Sequence, residues 1–372
     1  MKRVVPPRSV IVFKWRVHDC ASTGTPTHMR TSFRTITTLF RVAGTAVAAG
    51  AAAGMARRRQ EVTADLTGRV VLITGGSRGL GFNLAKEYGA AGAHVVICSR
   101  TSAQVRAAGE QLAAEGVAVD AYTCDVADQD QVNEMVTKVV TERGRLDIAI
   151  ANAGTLVIGP VAHMSLDDQH EAMNTMYWGT VHLARASMPY LELAPDGRFV
   201  TIGSIGGKLP VPHLMPYVAA KAAAMAYSET LRASWGDRNV KVVTVVPGLM
   251  RTGSAPHAAV KGRHAEEYRW FGFLSVAPLI SLSAAEARRR IVAAVDRGDA
   301  QAVISWPAKV GVKAYGLAPS LITRVTGMGA RLLPSPAGHD GDRRTSAAAE
   351  GFTVPGLEAR SRGSDAASQP KP

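Results

Sequence analysis

The sequence predicts an α/β fold over residues 66–307: a doubly wound, Rossmann-type parallel β-sheet flanked by helices. Three observations predict it. Six short runs rich in Val, Ile and Leu alternate with segments of helical periodicity. Within those runs the apolar residues do not alternate with polar ones, as expected of strands buried on both faces. Each run is followed by a helix, the connection that right-handed parallel crossovers need.

The elements follow in order. "RVVLIT" (69–74) is a β-branched run that stops at glycines, and Leu80 to Ala91 has helical spacing. "HVVICS" (94–99) is a second strand, with a helix from about 101 to 115. "VAVDAYTCDV" (117–126) is a third strand, and 128–143 a third helix. "LDIAIANAG" (146–154) is a fourth, followed by a long helical stretch up to Pro189. "RFVTIGS" (198–204), a helix over 216–235 and "VKVVTVVPG" (240–248) continue the alternation. Residues 286–307 read as a helix and a last strand. The segment 308–334 is amphipathic; it could cover the active site, form an oligomer contact or lie on a membrane surface. Residues 335–372, rich in Ser, Ala, Gly and Pro, read as a disordered tail.

The formal net charge of +13 is concentrated at one end. Residues 1–60 hold eleven Lys/Arg against the single acid Asp19, so the other 312 residues carry only +3. A basic leader on a near-neutral body argues against a nucleic-acid enzyme and for a targeting or membrane-surface segment. Within 1–65, the uncharged stretch 42–56 is fifteen residues long, short of the roughly 20 that span a bilayer. A signal-like segment, a marginal membrane anchor and an upstream extension with Met29 as the start all stay open. Cys20, Cys98 and Cys124 show no metal-ligand spacing, and no metal is expected. Cys98 and Cys124 close strand-like runs as buried thiols. A cytoplasmic location fits, with membrane association left open.

Ligands of a doubly wound sheet sit beyond the C-terminal strand ends. The first such end is "TGGSRGLG" (74–81), where Gly75, Gly79 and Gly81 are spaced G-x-x-x-G-x-G. Glycines let the backbone approach a pyrophosphate resting on the N-terminus of the next helix. An NAD site normally has an acid at the end of the second strand; here Ser99 and Arg100 stand there, with Arg78 in the loop. Two guanidinium groups suit a ribose 2′-phosphate, so NADP(H) is expected over NAD(H).

With these residues in place, the chain resembles the single-domain branch of the short-chain dehydrogenase/reductase family. The resemblance covers roughly 66–305 and rests on six motifs in order: "TGGSRGLG" (74–81), "CDV" (124–126), "ANAG" (151–154), "GSIGG" (203–207), "YVAAK" (217–221) and "PGLMRT" (247–252). It implies that Gly75, Ser77, Arg78, Gly79, Leu80 and Gly81 hold the dinucleotide, that Asp125 and Val126 meet the adenine, and that Asn152, Ala153 and Gly154 steady the central strand beside it. It makes Ser204, Tyr217 and Lys221 the catalytic set, with Tyr217 and Lys221 also touching cofactor. It sets Pro247, Gly248 and Thr252 beside the nicotinamide and implies a homo-oligomer.

The residue types suit hydride chemistry. Reducing a carbonyl needs a proton for the developing alkoxide, and oxidising an alcohol needs a base. Tyrosine's pKa of about 10 must fall by about 4 kcal/mol in free-energy terms to reach neutrality. A neighbouring ammonium and the oxidised nicotinamide can supply that. Tyr217 and Lys221 are four apart, hence on one helix face, and Ser204 can share the substrate oxygen with Tyr217. One family residue is missing. Three residues before Gly179, where the family carries an asparagine that supports a helix kink and a proton-relaying water, this chain has Met176. A working enzyme with another relay and a slowed or non-catalytic scaffold are the two readings. In 253–280, Tyr268, Trp270, Phe271 and Phe273 fit either an apolar substrate pocket or packing of a lid. The expected function is NADP(H)-dependent interconversion of an alcohol and a carbonyl on an apolar substrate; the alternative is a nucleotide-binding scaffold or regulatory protein.

Overall fold

The structure, a computed structural model, describes residues 65–235, 238–252, 257–277, 280–336 and 342–345. The expectations for the basic leader fall outside the described residues.

The elements run β1 Val70–Thr74, α1 Gly79–Ala90, β2 His94–Ser99, α2 Ser102–Ala114, β3 Val119–Thr123, α3 Gln129–Arg143, β4 Ile148–Ala151 and β5 Val157–Ile158. Then follow α4 Leu166–Ala172, a π turn at Met173–Trp178, α5 Gly179–Leu193, β6 Gly197–Ile202, α6 Met215–Trp235 and β7 Val240–Val246. The C-terminal part holds β8 Leu249–Arg251, β9 Ala259–Val260, α7 His264–Val276, β10 Ser281–Ser283, α8 Ala284–Arg297, β11 Gln301–Val303, α9 Trp306–Leu317, α10 Pro319–Ala330 and β12 Arg344–Thr345.

Seven strands form one sheet in the order β11-β7-β6-β4-β1-β2-β3, and every pair in it is parallel. The unalternating apolar runs have a simple cause. On β1, Val71 and Ile73 pack into one core with Phe82, Tyr88, Leu112, Ile291 and Val295. Val70 and Leu72 pack into the other, with Val136, Val139, Leu183 and Leu191. Both faces are covered by helices, so neither parity of residue can be polar.

One expectation is corrected. The helix expected to stop at Pro189 continues to Leu193, since the apolar positions Leu183, Met188 and Leu191 on either side of the proline stay buried in one core. Within the C-terminal segment, Arg344–Thr345 form β12, which pairs antiparallel with β9. Its Arg343 pairs with Glu171, and the Asp342 carbonyl lies 3.0 Å from His264 Nε2.

Candidate active site

The C-terminal ends of β1, β4, β6 and β7 bring the sequence motifs together. In the glycine loop, Gly75 and Gly79 adopt φ of 65° and 58°, a region that side chains disfavour. A Cβ on Gly81 would lie 2.3 Å from the Gly75 carbonyl oxygen and 2.6 Å from Asn152 Nδ2, so α1 can start this close to β4 only with glycine there. Ser77 is buried, and Leu80 packs against the core. Arg78 occupies the N-cap of α1 in extended conformation, its side chain caps nothing, and the first turn holds no acid. The positive end of this 12-residue helix therefore suits a pyrophosphate.

Asn152 braces the glycine loop. Its Nδ2 donates to the carbonyls of Thr74 at 2.9 Å and Gly75 at 3.1 Å, while the amides of Asn152 and Ala153 donate to Thr74 Oγ1. A residue the sequence reading missed completes the brace: buried Asn83 donates to the Gly79 carbonyl at 2.7 Å. The available signal was an asparagine on the buried face of α1. A Cβ on Gly79 would sit 3.6 Å from the Thr252 carbonyl oxygen, which brings the end of the "PGLMRT" motif to the loop. The Pro247 carbonyl accepts from the Ile205 amide at 2.8 Å, and Gly248 backs onto Ser305.

Just beyond β3, Asp125 Oδ1 accepts from the Ala127 amide at 3.0 Å. The Val126 carbonyl lies 3.0 Å from His182 Nδ1. Partial desolvation, and second the nearby Arg100 guanidinium, lower the proton affinity of Arg78. Two cations held within reach of each other are relieved by an anion between them. Arg100 also lies 3.7 Å from Glu171.

Ser204 follows β6, and its Oγ accepts from the Gly206 amide at 3.1 Å. Gly206 was not singled out from the sequence, yet a Cβ there would stand 3.3 Å from the Tyr217 ring and 3.5 Å from Ser204 Oγ. Its smallness lets the two side chains meet. Burial pushes the Tyr217 phenol above 10, and the hydrogen bond with the Ser204 side chain pulls it back. Lys221 is 6% exposed; its Nζ donates to the Ile202 carbonyl at 2.6 Å, and burial lowers it to about 8. The expected depression of Tyr217 by Lys221 is therefore not a property of these residues alone. The ammonium is committed to a backbone carbonyl, and desolvation dominates the phenol.

Met176 is buried at 1% exposure and packs with Ala172, Ala220 and Tyr217. The kink that the missing asparagine was expected to support is nonetheless present as the π turn, a feature frequent at functional sites. The Thr180 hydroxyl donates to the Met176 carbonyl at 2.7 Å. Asn174 is exposed and does not stand in for the missing side chain.

The lid is anchored through groups that spacing did not reveal. Glu267, fully buried on α7, accepts from Trp270 Nε1 at 2.7 Å and lies 2.9 Å from His213 Nδ1. His213 precedes Tyr217 by four residues and has φ of 64°. Lys261 Nζ pairs with Asp168 at 2.5 Å, both buried. Trp270 and Phe271 pack in one cluster with Leu214 and Tyr217, whereas Phe273 is 55% exposed. So two of the four lid aromatics serve packing around the tyrosine.

Comparison with known proteins agrees with this arrangement. A family model described as short chain dehydrogenase matches residues 69–260. A dehydrogenase/reductase SDR family protein 7-like of Anopheles gambiae is 32% identical over 206 residues, 54% of this chain and 65% of that protein. The match thus spans just under two thirds of that relative's length. The Mus musculus dehydrogenase/reductase SDR family member 7B is 30% identical over 273 residues, 72% of this chain and 83% of that protein. A short-chain dehydrogenase/reductase from Burkholderia phymatum, solved in complex with NAD, superimposes with a TM-score of 0.63 at 20% identity, covering 69% of this chain and 96% of that one; it shares the fold. The sheet order, the glycine loop, the family match over more than half the chain and the murine relative together make this chain a member of the short-chain dehydrogenase/reductase family.

Proposed function

We propose that the chain interconverts a secondary alcohol and a carbonyl on an apolar substrate, using NADP(H), with Tyr217 as general acid/base. The observation that carries this reading is the approach of Ser204 and Tyr217 across Gly206, whose Cβ would stand 3.5 Å from Ser204 Oγ and 3.3 Å from the tyrosine ring, with buried Lys221 one helical turn from Tyr217, on the same sheet edge as the glycine loop. The loop would hold the pyrophosphate, Arg78 and Arg100 the 2′-phosphate, and Lys221 the nicotinamide-ribose hydroxyls. When bound, the nicotinamide supplies the hydride to the carbonyl carbon or accepts it from the alcohol carbon. In reduction the Tyr217 hydroxyl gives its proton to the substrate oxygen as that oxygen gains charge, while Ser204 donates to the same oxygen. The raised phenol is protonated at neutral pH, the state from which reduction starts. An apolar substrate is favoured by Leu156, Val211, Leu214 and Val218, which cluster with Tyr217.

The test is purified protein with NADPH or NADP and a panel of ketones and alcohols, followed by absorbance. Turnover that Tyr217→Phe abolishes is expected. Tight NADPH binding without turnover across a broad panel sinks the reading. That outcome would favour a nucleotide-binding scaffold, for which the specific observation is Met176 buried against Tyr217.

A further inference from the structure

The last two helices are poorly held by the body of the protein. Only Ala308 of α9 is buried, and no residue of α10 is. Helices of 12 residues are marginal in water without tertiary packing, so this pair needs a covering surface.

Its chemistry says which. On α9, Trp306, Val310 and Leu317 fall on one stripe and are 48%, 59% and 88% exposed. On α10, Leu321, Val325 and Met328 form a second stripe, at 59%, 49% and 57%, and Leu332 beyond it reaches 87%. Lys309, Lys313, Arg324 and Arg331 are all exposed. Among the described residues, none of these four forms an ion pair. No Asp or Glu occurs between Asp299 and Asp340. At 100° per residue, Arg324 and Arg331 lie about 60 to 80° to one side of the α10 stripe. There their long side chains reach a charged plane while the leucines enter an apolar one. A second copy of this chain would bring the same uncompensated positive charge against itself, which argues against self-association through this face.

We propose that α9 and α10 form a docking surface for an anionic lipid bilayer, lying in its interface. The surface adjoins the active site: a Cβ on Gly311 of α9 would lie 3.1 Å from Leu209 and 3.6 Å from Ile205, and Ile205 follows Ser204 directly. Docking therefore sets the serine loop on the membrane side of the protein. It does not depend on the proposed reaction.

The full chain is mixed with vesicles of phosphatidylcholine alone or of equimolar phosphatidylcholine and phosphatidylserine, and the bound fraction is read by co-sedimentation. The parent protein is expected to bind the anionic vesicles and to be released by salt. At about 1 kcal/mol per basic residue, Arg324→Gln with Arg331→Gln should weaken partition at least about tenfold. Leu321→Asp with Val325→Asp should do so as well, with an unchanged melting temperature because neither position is buried. If that pair unfolds, the arginine pair, which removes only exposed charge, decides. Equal binding by variants and parent would overturn the proposal and assign any binding to residues outside the two helices. So would absence of binding by the parent, or variants that dissociate an oligomer while vesicle binding is unchanged.

Discussion

Replacing Lys221 by methionine should stabilise the fold while abolishing turnover. The amine is 6% exposed, and burial lowers it from 10.5 to about 8. At about 1.4 kcal/mol per pH unit, holding it charged near neutrality costs roughly 3 kcal/mol. Methionine is nearly isosteric and carries no charge, so that cost disappears. Against this, the Ile202 carbonyl loses its 2.6 Å donor, worth about 1 kcal/mol. A net gain of about 2 kcal/mol at pH 7 follows. The pH dependence fixes the sign independently. With the folded value below the unfolded one, the unfolded chain binds more protons between about pH 8 and 10.5. Wild-type stability therefore rises through that window. The advantage of Lys221→Met should shrink across it and reverse above it, leaving only the lost hydrogen bond. Urea or thermal denaturation of both proteins at pH 7 and above pH 10.5 measures this. A variant less stable than wild type at pH 7, or a difference unaffected by pH, would refute the electrostatic account.

Three further outcomes are expected. Gly81→Ala, whose Cβ would meet the Gly75 carbonyl at 2.3 Å, should lose most NADPH affinity in a fluorescence titration; retained affinity would mean the loop has room to shift. Asp168→Ala leaves the Lys261 ammonium buried and removes the acceptor of the Ser165 cap, costing about 3–5 kcal/mol in a denaturant melt. Burial opposes ionisation of Asp168, but Lys261 and Ser165 outweigh it and hold the carboxyl below 3.8. Its stabilisation should therefore be complete above that pH and fade as pH falls through the lower folded value. Met176→Asn should raise turnover if the relay beside Tyr217 is limiting, at a stability cost of about 1–3 kcal/mol for burying an amide. A rate unchanged or lower would remove Met176 from the account.

The sequence by itself determined the sheet, because a strand buried on both faces must be apolar along its middle, and residues 70–73 of β1, 95–98 of β2 and 148–151 of β4 are. It also determined which residues gather at the strand ends. A glycine loop after β1, a serine after β6 and a Tyr/Lys pair one turn apart can converge only at the carboxyl edge of a parallel sheet. What the tertiary structure decided concerns contacts between segments distant in the chain. Asn83 and Gly206 matter because of what their neighbours do, not because of any spacing. Glu267 with His213 and Asp168 with Lys261 are 54 and 93 residues apart, so no local pattern could announce them. The proton affinities were equally hidden. Tyr217 and Lys221 were legible as a pair, but desolvation moves the phenol up and the amine down, and desolvation depends on everything packed around them. Likewise α9 and α10 read as amphipathic from sequence, while only the fold reveals that the apolar stripes are left largely exposed.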